Sequence, residues 1–325
     1  MTTVEADPTQ VSQPTRTRKA QLVNWARRLL VVAVVVAAGY QLVVHWSEVW
    51  DTLSGIAWQS ALLSQLAVVV SILFGVLGWQ TMVDDLGKPI GILRGAQINL
   101  VGLLGKYVPG SLWAYVLQME LGRKAGLARA RVFTAALVQV GVSVVVSLLL
   151  GALAMPVLLD ETPEAMWLFA LLPVGLVALH PRILTWATSL VLKVLRRPPL
   201  DHRLKWSTIG KVFGYAVLAF GFQGVHLWLL ANSVGAPGVG GLVLCVGAMA
   251  LAMTIGLFFF IMPAGAGARE LVMVGVLVAS GIDPVQAGAF AVASRVMFIV
   301  ADLLTAGAAA GAARWRAPAV TAPGV

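Results

Sequence analysis

The stretch FFFIMPAGAGARELVM, residues 258–273, places a polar break between two apolar runs. Twenty apolar or small residues lead up to Pro263, and ten more follow Glu270. Pro263 interrupts a helix, and Gly265 and Gly267 loosen it. The charged residues Arg269 and Glu270 each cost roughly 2.5–3.5 kcal/mol at the centre of a membrane helix. Such a costly combination favours a functional break in a membrane-embedded chain.

The composition indicates a polytopic integral membrane protein of the all-α class. Of 325 residues, 59% are apolar and 11% are charged, and the mean hydropathy is +0.88. Soluble domains carry about 45–50% apolar and about 25% charged residues. The net charge of +9 lies in short clusters between apolar runs, which is the positive-inside pattern and excludes a nucleic-acid partner. One cysteine, Cys245, excludes an intrachain disulfide and a cysteine zinc cluster.

The apolar runs predict about eight crossings of the cytoplasmic membrane. We expect a disordered cytoplasmic tail over residues 1–25, a transmembrane domain over 26–313 and a short cytoplasmic tail over 314–325. Basic residues at both ends place both termini inside. The predicted crossings are 26–44, 61–79, 132–155, 165–180, 212–230, 242–262, the half-length run 271–280, and 286–313.

A second break lies in the segment 91–121, which begins and ends on the same predicted side. We expect a short hairpin there, re-entrant or spanning, that turns at YVPG, residues 107–110. Each break continues into a half-helix that ends at a glycine, with 17 residues from Pro109 to Gly126 and 18 from Pro263 to Gly281. This similarity suggests an inverted repeat with broken helices, a common plan in transporters.

Three motifs carry a resemblance to a known family. KYVPGSLW (106–113), PAGAGARE (263–270) and A-x-x-x-A-S-R (289–295) are similar to the K-Y-x-P-G-x-x-W, P-G-G-x-G-x-R-E and arginine-bearing closing-helix motifs of the flippase-like integral membrane proteins. That family is also called the lysylphosphatidylglycerol synthase transmembrane region. The chain departs from it at Ala264, where the family has glycine, and at Gln139, where many members are acidic.

The resemblance implies translocation of a lipid or of a lipid-linked substrate. The better-known members carry a soluble aminoacyl-transferase domain, for which we expect no room here, so lysyl-lipid synthesis is not implied. Taken with the residues themselves, the motifs predict a substrate-binding set of Lys106, Tyr107, Pro109, Gly110, Trp113, Pro263, Gly265, Gly267, Arg269, Glu270, Arg295 and Asp302.

The chemistry of PAGAGARE favours an anionic head group. A half-helix that starts near Arg269 presents free N–H groups, which together with the guanidinium make a phosphate site, and Glu270 would tune or gate it. The alternative is an interfacial kink at which Arg269 snorkels to water and Glu270 forms a surface ion pair.

The first break and the last helix supply the other candidates. Lys106 and Tyr107 would meet the polar head while Trp113 packs on a lipid chain; the alternative is a turn with an interfacial tryptophan. Arg295 and Asp302 lie seven residues apart on one helix face, where pairs with Glu270 and Arg269 are conceivable, either structural or moving.

The remaining polar residues indicate no enzyme. Gln139 and Gln223 fit interhelical hydrogen bonds, and His226 fits a core or interfacial histidine better than a metal ligand. No catalytic triad, paired carboxylates, nucleotide loop or metal-binding pattern appears in the sequence, so we expect no cofactor.

These observations predict the flipping of an anionic lipid or a lipid-linked sugar across the cytoplasmic membrane. The expected partner is thus a membrane lipid or a lipid-linked glycan. One alternative is a non-catalytic accessory or anchor for a cell-envelope glycosyltransferase. The other is a membrane-embedded transferase, which the missing acid–base groups disfavour.

Overall fold

The described part of the chain is helical. A computed structural model describes residues 46–108, 112–157, 169–194, 204–232, 238–259 and 262–315, and these ranges contain no strand. Their α-helices are α1 (Trp46–Ser54), α2 (Trp58–Asp85), α3 (Ile92–Leu103), α4 (Leu112–Lys124), α5 (Arg129–Gly151), α6 (Leu172–Ala178), α7 (Pro181–Val194), α8 (Trp206–Ala231), α9 (Gly238–Phe258), α10 (Ala268–Ala279) and α11 (Pro284–Trp315).

Five of these helices are long and apolar enough to cross a membrane. They are α2, α5 with its extension to Val157, α8, α9 and α11. Many of their large apolar side chains are exposed, as on a surface that faces lipid. The chain is therefore a multi-pass helical membrane protein. The predicted crossing 26–44 lies outside the described residues, and the count of about eight stays a prediction.

The sequence predicts one crossing over residues 165–180, but the described part of this range, 169–180, does not form a single spanning helix. There α6 has seven residues and meets α7 at an angle of 87°, so only the bent pair together reaches spanning length. The cause is Pro181, which begins α7 and disfavours helical geometry at the residue before it.

The first break forms a hairpin with short limbs. α3 ends in a 3-10 turn, Leu104–Tyr107, and α4 then packs back against α3. Limbs of 12 and 13 residues reach about 18–20 Å, less than the roughly 30 Å of a hydrocarbon core. Glycine lets the limbs touch, because a Cβ at Gly105 would lie 2.7 Å from the Ala114 backbone nitrogen.

The second break depends on left-handed backbone. After α9 a 3-10 turn, Pro263–Gly265, leads into α10, and φ is +50° at Ala264, +67° at Gly265 and +85° at Gly267. A Cβ at Gly265 would lie 2.5 Å from the Gly256 carbonyl oxygen. The two backbones therefore meet directly, and only glycine fits there.

The two half-helices end with the same cap. Gly126 and Gly281 have φ of +83° and +93°. The next residue in each case, Leu127 or Ile282, donates its N–H to the carbonyl five residues back, at 2.9 and 3.1 Å, and is buried. This is the Schellman arrangement, which glycine favours. The shared cap supports the predicted repeat locally, while its inversion stays a prediction.

Packing brings the two breaks together. α8 packs along α2 and α9, α9 packs on α5 and α10, and α11 packs on α3. The 3-10 turn Leu104–Tyr107 contacts the turn Pro263–Gly265 and also α11. The candidate site lies at this junction.

Candidate functional site

A cavity of about 370 Å³ lies beside the junction of the two breaks. Its walls come from α2, α3, α4, α5, α8, α9, α10 and α11. Six of the twelve predicted site residues line it: Lys106, Tyr107, Gly265, Arg269, Arg295 and Asp302. Residues almost 200 positions apart in sequence therefore form the polar part of one cavity whose lining is mostly apolar.

Arg269 is a buried cation that makes no ion pair with a described carboxylate, although Glu270 and Asp302 attract it from a longer distance. Its side chain is 7% exposed, Nη2 donates a hydrogen bond of 2.9 Å to Ser294 Oγ, and the guanidinium lies 4.3 Å from the ring centre of Phe298. No carboxylate of the described residues makes an ion pair with it, and its Nε has no hydrogen-bond partner there. Arg269 thus keeps donor capacity at the cavity wall.

Asp302 joins the first break to α11. Its Oδ2 accepts a hydrogen bond from the Tyr107 hydroxyl at 2.5 Å and lies 2.6 Å from Lys106 Nζ. The carboxylate is nearly buried, so the paired ammonium and hydroxyl offset its desolvation. Lys106 also lies 5.3 Å from the Tyr107 ring centre.

Glu270 joins the second break to the same helix. Its Oε1 pairs with Arg295 Nη1 at 2.7 Å, and its Oε2 accepts the backbone N–H of Gly267 at 2.7 Å. The carboxylate therefore caps the start of α10 and neutralises Arg295 at the same time.

A comparison with protein-family models matches a range of the chain that contains all three motifs. Residues 30–305 match the family described as "Lysylphosphatidylglycerol synthase TM region". The chain belongs to this family. A comparison with curated proteins finds no match.

Of the two ion pairs that the sequence left open, one is present in the structure and the other is not. Arg295 pairs with Glu270 as the sequence suggested. Asp302 pairs with Lys106 instead of Arg269, because the hairpin brings the lysine to Asp302 while Arg269 turns toward Ser294 and Phe298.

The other predicted site residues take different positions. Trp113 is 53% exposed and does not line the cavity, as expected of a side chain at a lipid or interfacial position. Gly267 lies at the start of α10, and Pro263 begins the 3-10 turn of the second break. Pro109 and Gly110 lie outside the described residues.

Sequence reasoning missed a buried hydrogen-bond chain behind Arg269. Ser294 Oγ lies 2.9 Å from His226 Nε2, and His226 Nδ1 lies 2.6 Å from Ser64 Oγ. His226 is a fully buried core histidine, as expected, but it also supports the site through Ser294. Nothing in the sequence links Ser64 to His226, which lies 162 positions later. Only Ser294 could have been suspected from the sequence, because it directly precedes the candidate residue Arg295.

Sequence reasoning also missed part of the polar wall. Asn99, Gln118 and Trp79 line the cavity and are buried. Gln139 makes the expected hydrogen bond between helices, since its Nε2 on α5 donates to the Gly75 carbonyl on α2 at 2.7 Å. The side-chain oxygen of Gln223, Oε1, accepts no hydrogen bond from the described residues.

The basic cluster at the end of the hairpin is outside the cavity. Hydrogen bonds from Arg123 and Arg129 hold the pKa of Glu120 at about 2, well below its usual range. Among the described residues no group of three His, Cys, Asp or Glu side chains could hold a metal ion.

Proposed function

We propose that this protein translocates an amphipathic lipid with an anionic head group, either a phospholipid or a lipid-linked sugar, across the cytoplasmic membrane. The observation that carries the proposal is Arg269. A guanidinium buried among membrane helices without a described carboxylate partner is costly unless an anion or a dipole balances it. A phosphate offers several acceptor oxygens to such a group.

The neighbouring ion pairs supply a way to open and close the site. An incoming phosphate competes with Asp302 for Lys106 and with Glu270 for Arg295, since both cations line the same cavity. Exchange of these partners loosens the breaks from α11. The lipid tails stay in the bilayer while the two halves rock and expose the head group to alternate leaflets.

Reconstitution tests the proposal. Purified protein in liposomes is supplied with anionic lipids labelled in the head group, and the accessible fraction is followed over time. Arg269→Gln is expected to slow movement at least tenfold, and Arg269→Lys to retain part of it. Arg94→Gln, which removes an exposed charge from α3 away from the cavity, is the matched control.

Two results would overturn the proposal. One is unchanged movement when Arg269 and Arg295 are both neutralised in protein that keeps its elution volume and melting temperature. The other is no movement of any anionic lipid by folded protein. The second result would favour an accessory role beside a glycosyltransferase, which co-purification would then test.

A further inference from the structure

The helix α7 is attached to the bundle at its basic end. The rings of His180 and Trp206 meet edge to face with their centres 5.2 Å apart, and the Leu204 N–H donates to Thr185 Oγ1 at 3.4 Å. Both contacts join the start of α7 to the start of α8. Over residues 181–211 the sequence has seven Lys or Arg and one Asp, which is the composition of a cytoplasmic segment.

The orientation of α7 follows from that of α6. α6 packs on the crossing helix α5, where a Cβ at Gly175 would lie 3.1 Å from Val145 Cγ2, beyond the middle of α5. α6 therefore runs from the level of Val145 back to the basic end of the bundle. Because α7 is bent from α6 by 87°, it runs along the plane of the membrane. With 14 residues, or about 21 Å, α7 is also too short to cross the membrane alone.

Two opposite sides of α7 have different surroundings. The side that packs on the bundle consists of residues spaced by four, each at most 9% exposed: Leu184, Thr188 and Leu192. The other side carries an exposed apolar stripe, which we define as Ile183, Trp186 and Leu190, with 36%, 65% and 47% exposure. At about 100° per residue the two sets lie on opposite sides of the helix.

Cations border the exposed apolar stripe. Arg182 and Lys193 are exposed, and their spacing of eleven positions places them on the same flank of α7. α7 contains no acidic residue. In water the stripe would stay hydrated, and among lipid tails the two cations would lie in hydrocarbon, so each setting alone is unfavourable. A tryptophan-bearing stripe beside cations fits the head-group layer of an anionic leaflet.

We infer that α7 lies flat in the head-group layer of the cytoplasmic leaflet and binds anionic lipid there through Arg182, Lys193 and the apolar stripe. This surface is a second lipid contact, separate from the site of Arg269, because no residue of α7 lines the cavity in the described structure. The inference excludes α7 as one half of a broken crossing.

Depth measurements with nitroxide labels test the orientation. The full-length protein, with Cys245→Ala, carries one label in nanodiscs, at Ile183→Cys or Leu190→Cys, and its relaxation by oxygen is compared with that by a water-soluble nickel chelate. Seven positions correspond to about 10 Å along a helix axis, so a crossing helix would separate the two labels by that depth. A flat α7 is expected to place both at the same depth, close to the lipid phosphates.

The crossing helix α2 offers a matched pair of label positions. Leu66 and Leu73 are also seven positions apart, and their exposures of 50% and 47% resemble those of the α7 positions. Labels at Leu66→Cys and Leu73→Cys are expected to differ in depth by about 10 Å.

Lipid-selective quenching tests the preference for anionic lipid. A fluorophore at Leu190→Cys is quenched by brominated phosphatidylglycerol or by brominated phosphatidylcholine at equal mole fraction. We expect the anionic lipid to be enriched about threefold at low salt and less at high salt. Arg182→Gln with Lys193→Gln is expected to remove the enrichment. Lys88→Gln with Arg94→Gln, which removes the same charge at two exposed positions outside α7, is expected to keep it.

Three outcomes overturn the inference. A depth difference of about 10 Å between positions 183 and 190 makes α7 part of a crossing. Labels on α7 that no brominated lipid quenches put the stripe in water or under a partner protein. Equal quenching by the two lipids in protein that keeps Arg182 and Lys193 removes the anionic preference. None of these outcomes bears on the function proposed for Arg269, since α7 is separate from the cavity.

Discussion

Arg269 and His226 share a single hydroxyl, that of Ser294, which joins the two side chains in one buried hydrogen-bond chain. The guanidinium can only donate, so Ser294 Oγ accepts from it. Ser294 Oγ also lies 2.9 Å from His226 Nε2, and Ser64 Oγ lies 2.6 Å from His226 Nδ1; the imidazole tautomer decides which atom of each pair donates. Ser64 completes the chain by donating to the His226 carbonyl, at 3.0 Å.

Ser294→Ala is expected to weaken anionic lipid binding about tenfold, because Arg269 loses the acceptor that orients it and a hydrogen bond to a charged group contributes roughly 1.5–3 kcal/mol. Lipid titration in nanodiscs measures the change. Ser147→Ala is the matched control, since this buried serine bonds only locally to the Val144 carbonyl in the described structure. Equal losses in both variants would mean that Ser294 acts on packing alone.

Ala264→Gly is expected to stabilise the protein by about 1 kcal/mol. Ala264 has φ of +50° and ψ of +33°, a left-handed conformation that glycine adopts without the steric cost of a Cβ. Reversible unfolding in mixed micelles measures the change. Ala308→Gly, at an exposed position of α11, is expected to destabilise the protein by about 0.5–1 kcal/mol, because glycine is unfavourable inside a helix. Changes in unfolding free energy of opposite sign for the two variants would support the left-handed conformation of Ala264. A destabilised Ala264→Gly would contradict the left-handed geometry.

Lys106→Met and Asp302→Asn are expected to be non-additive. Each single change leaves a partly buried charge without its partner, whereas the double change removes both charges. A double-mutant cycle on unfolding free energy is expected to give a coupling of about 1–3 kcal/mol.

The exposed pair Arg129–Glu120 serves as the comparison for that cycle. Its side chains are 46% and 35% exposed, so its coupling is expected to stay below about 1 kcal/mol. Equal couplings for the two pairs would show that Lys106 and Asp302 do not meet in the membrane-embedded protein.

The predicted orientation is open to a labelling test. In a Cys245→Ala background, Asp51→Cys is expected to react with an impermeant maleimide on intact cells, because the connecting segment 45–58 that contains it has no Lys or Arg. Lys124→Cys, in the basic cluster after the hairpin, is expected to react only after the cells are opened. Reaction of both positions from one side would contradict the assigned topology.

Local features of the fold were predictable from sequence, whereas of the two long-range ion pairs considered only Arg295–Glu270 is present. Pro263 and the glycines predict a break because their backbone constraints act within a few residues. The basic partner of Asp302 was not predictable, since it depends on whether the hairpin or α10 brings its cation to this carboxylate. The amides of Asn99 and Gln118 escaped notice because an isolated polar residue in an apolar helix gives no sign of which way it faces.

α11 carries Asp302, which holds the first break, and Arg295, which holds the second. Their spacing of seven positions corresponds to about two turns, or about 10 Å along a single helix. A shift of α11 by one turn along its axis would break the Lys106–Asp302 and Arg295–Glu270 pairs together. The two breaks are therefore coupled through α11, and an axial shift of this helix cannot release one break while the other stays bound.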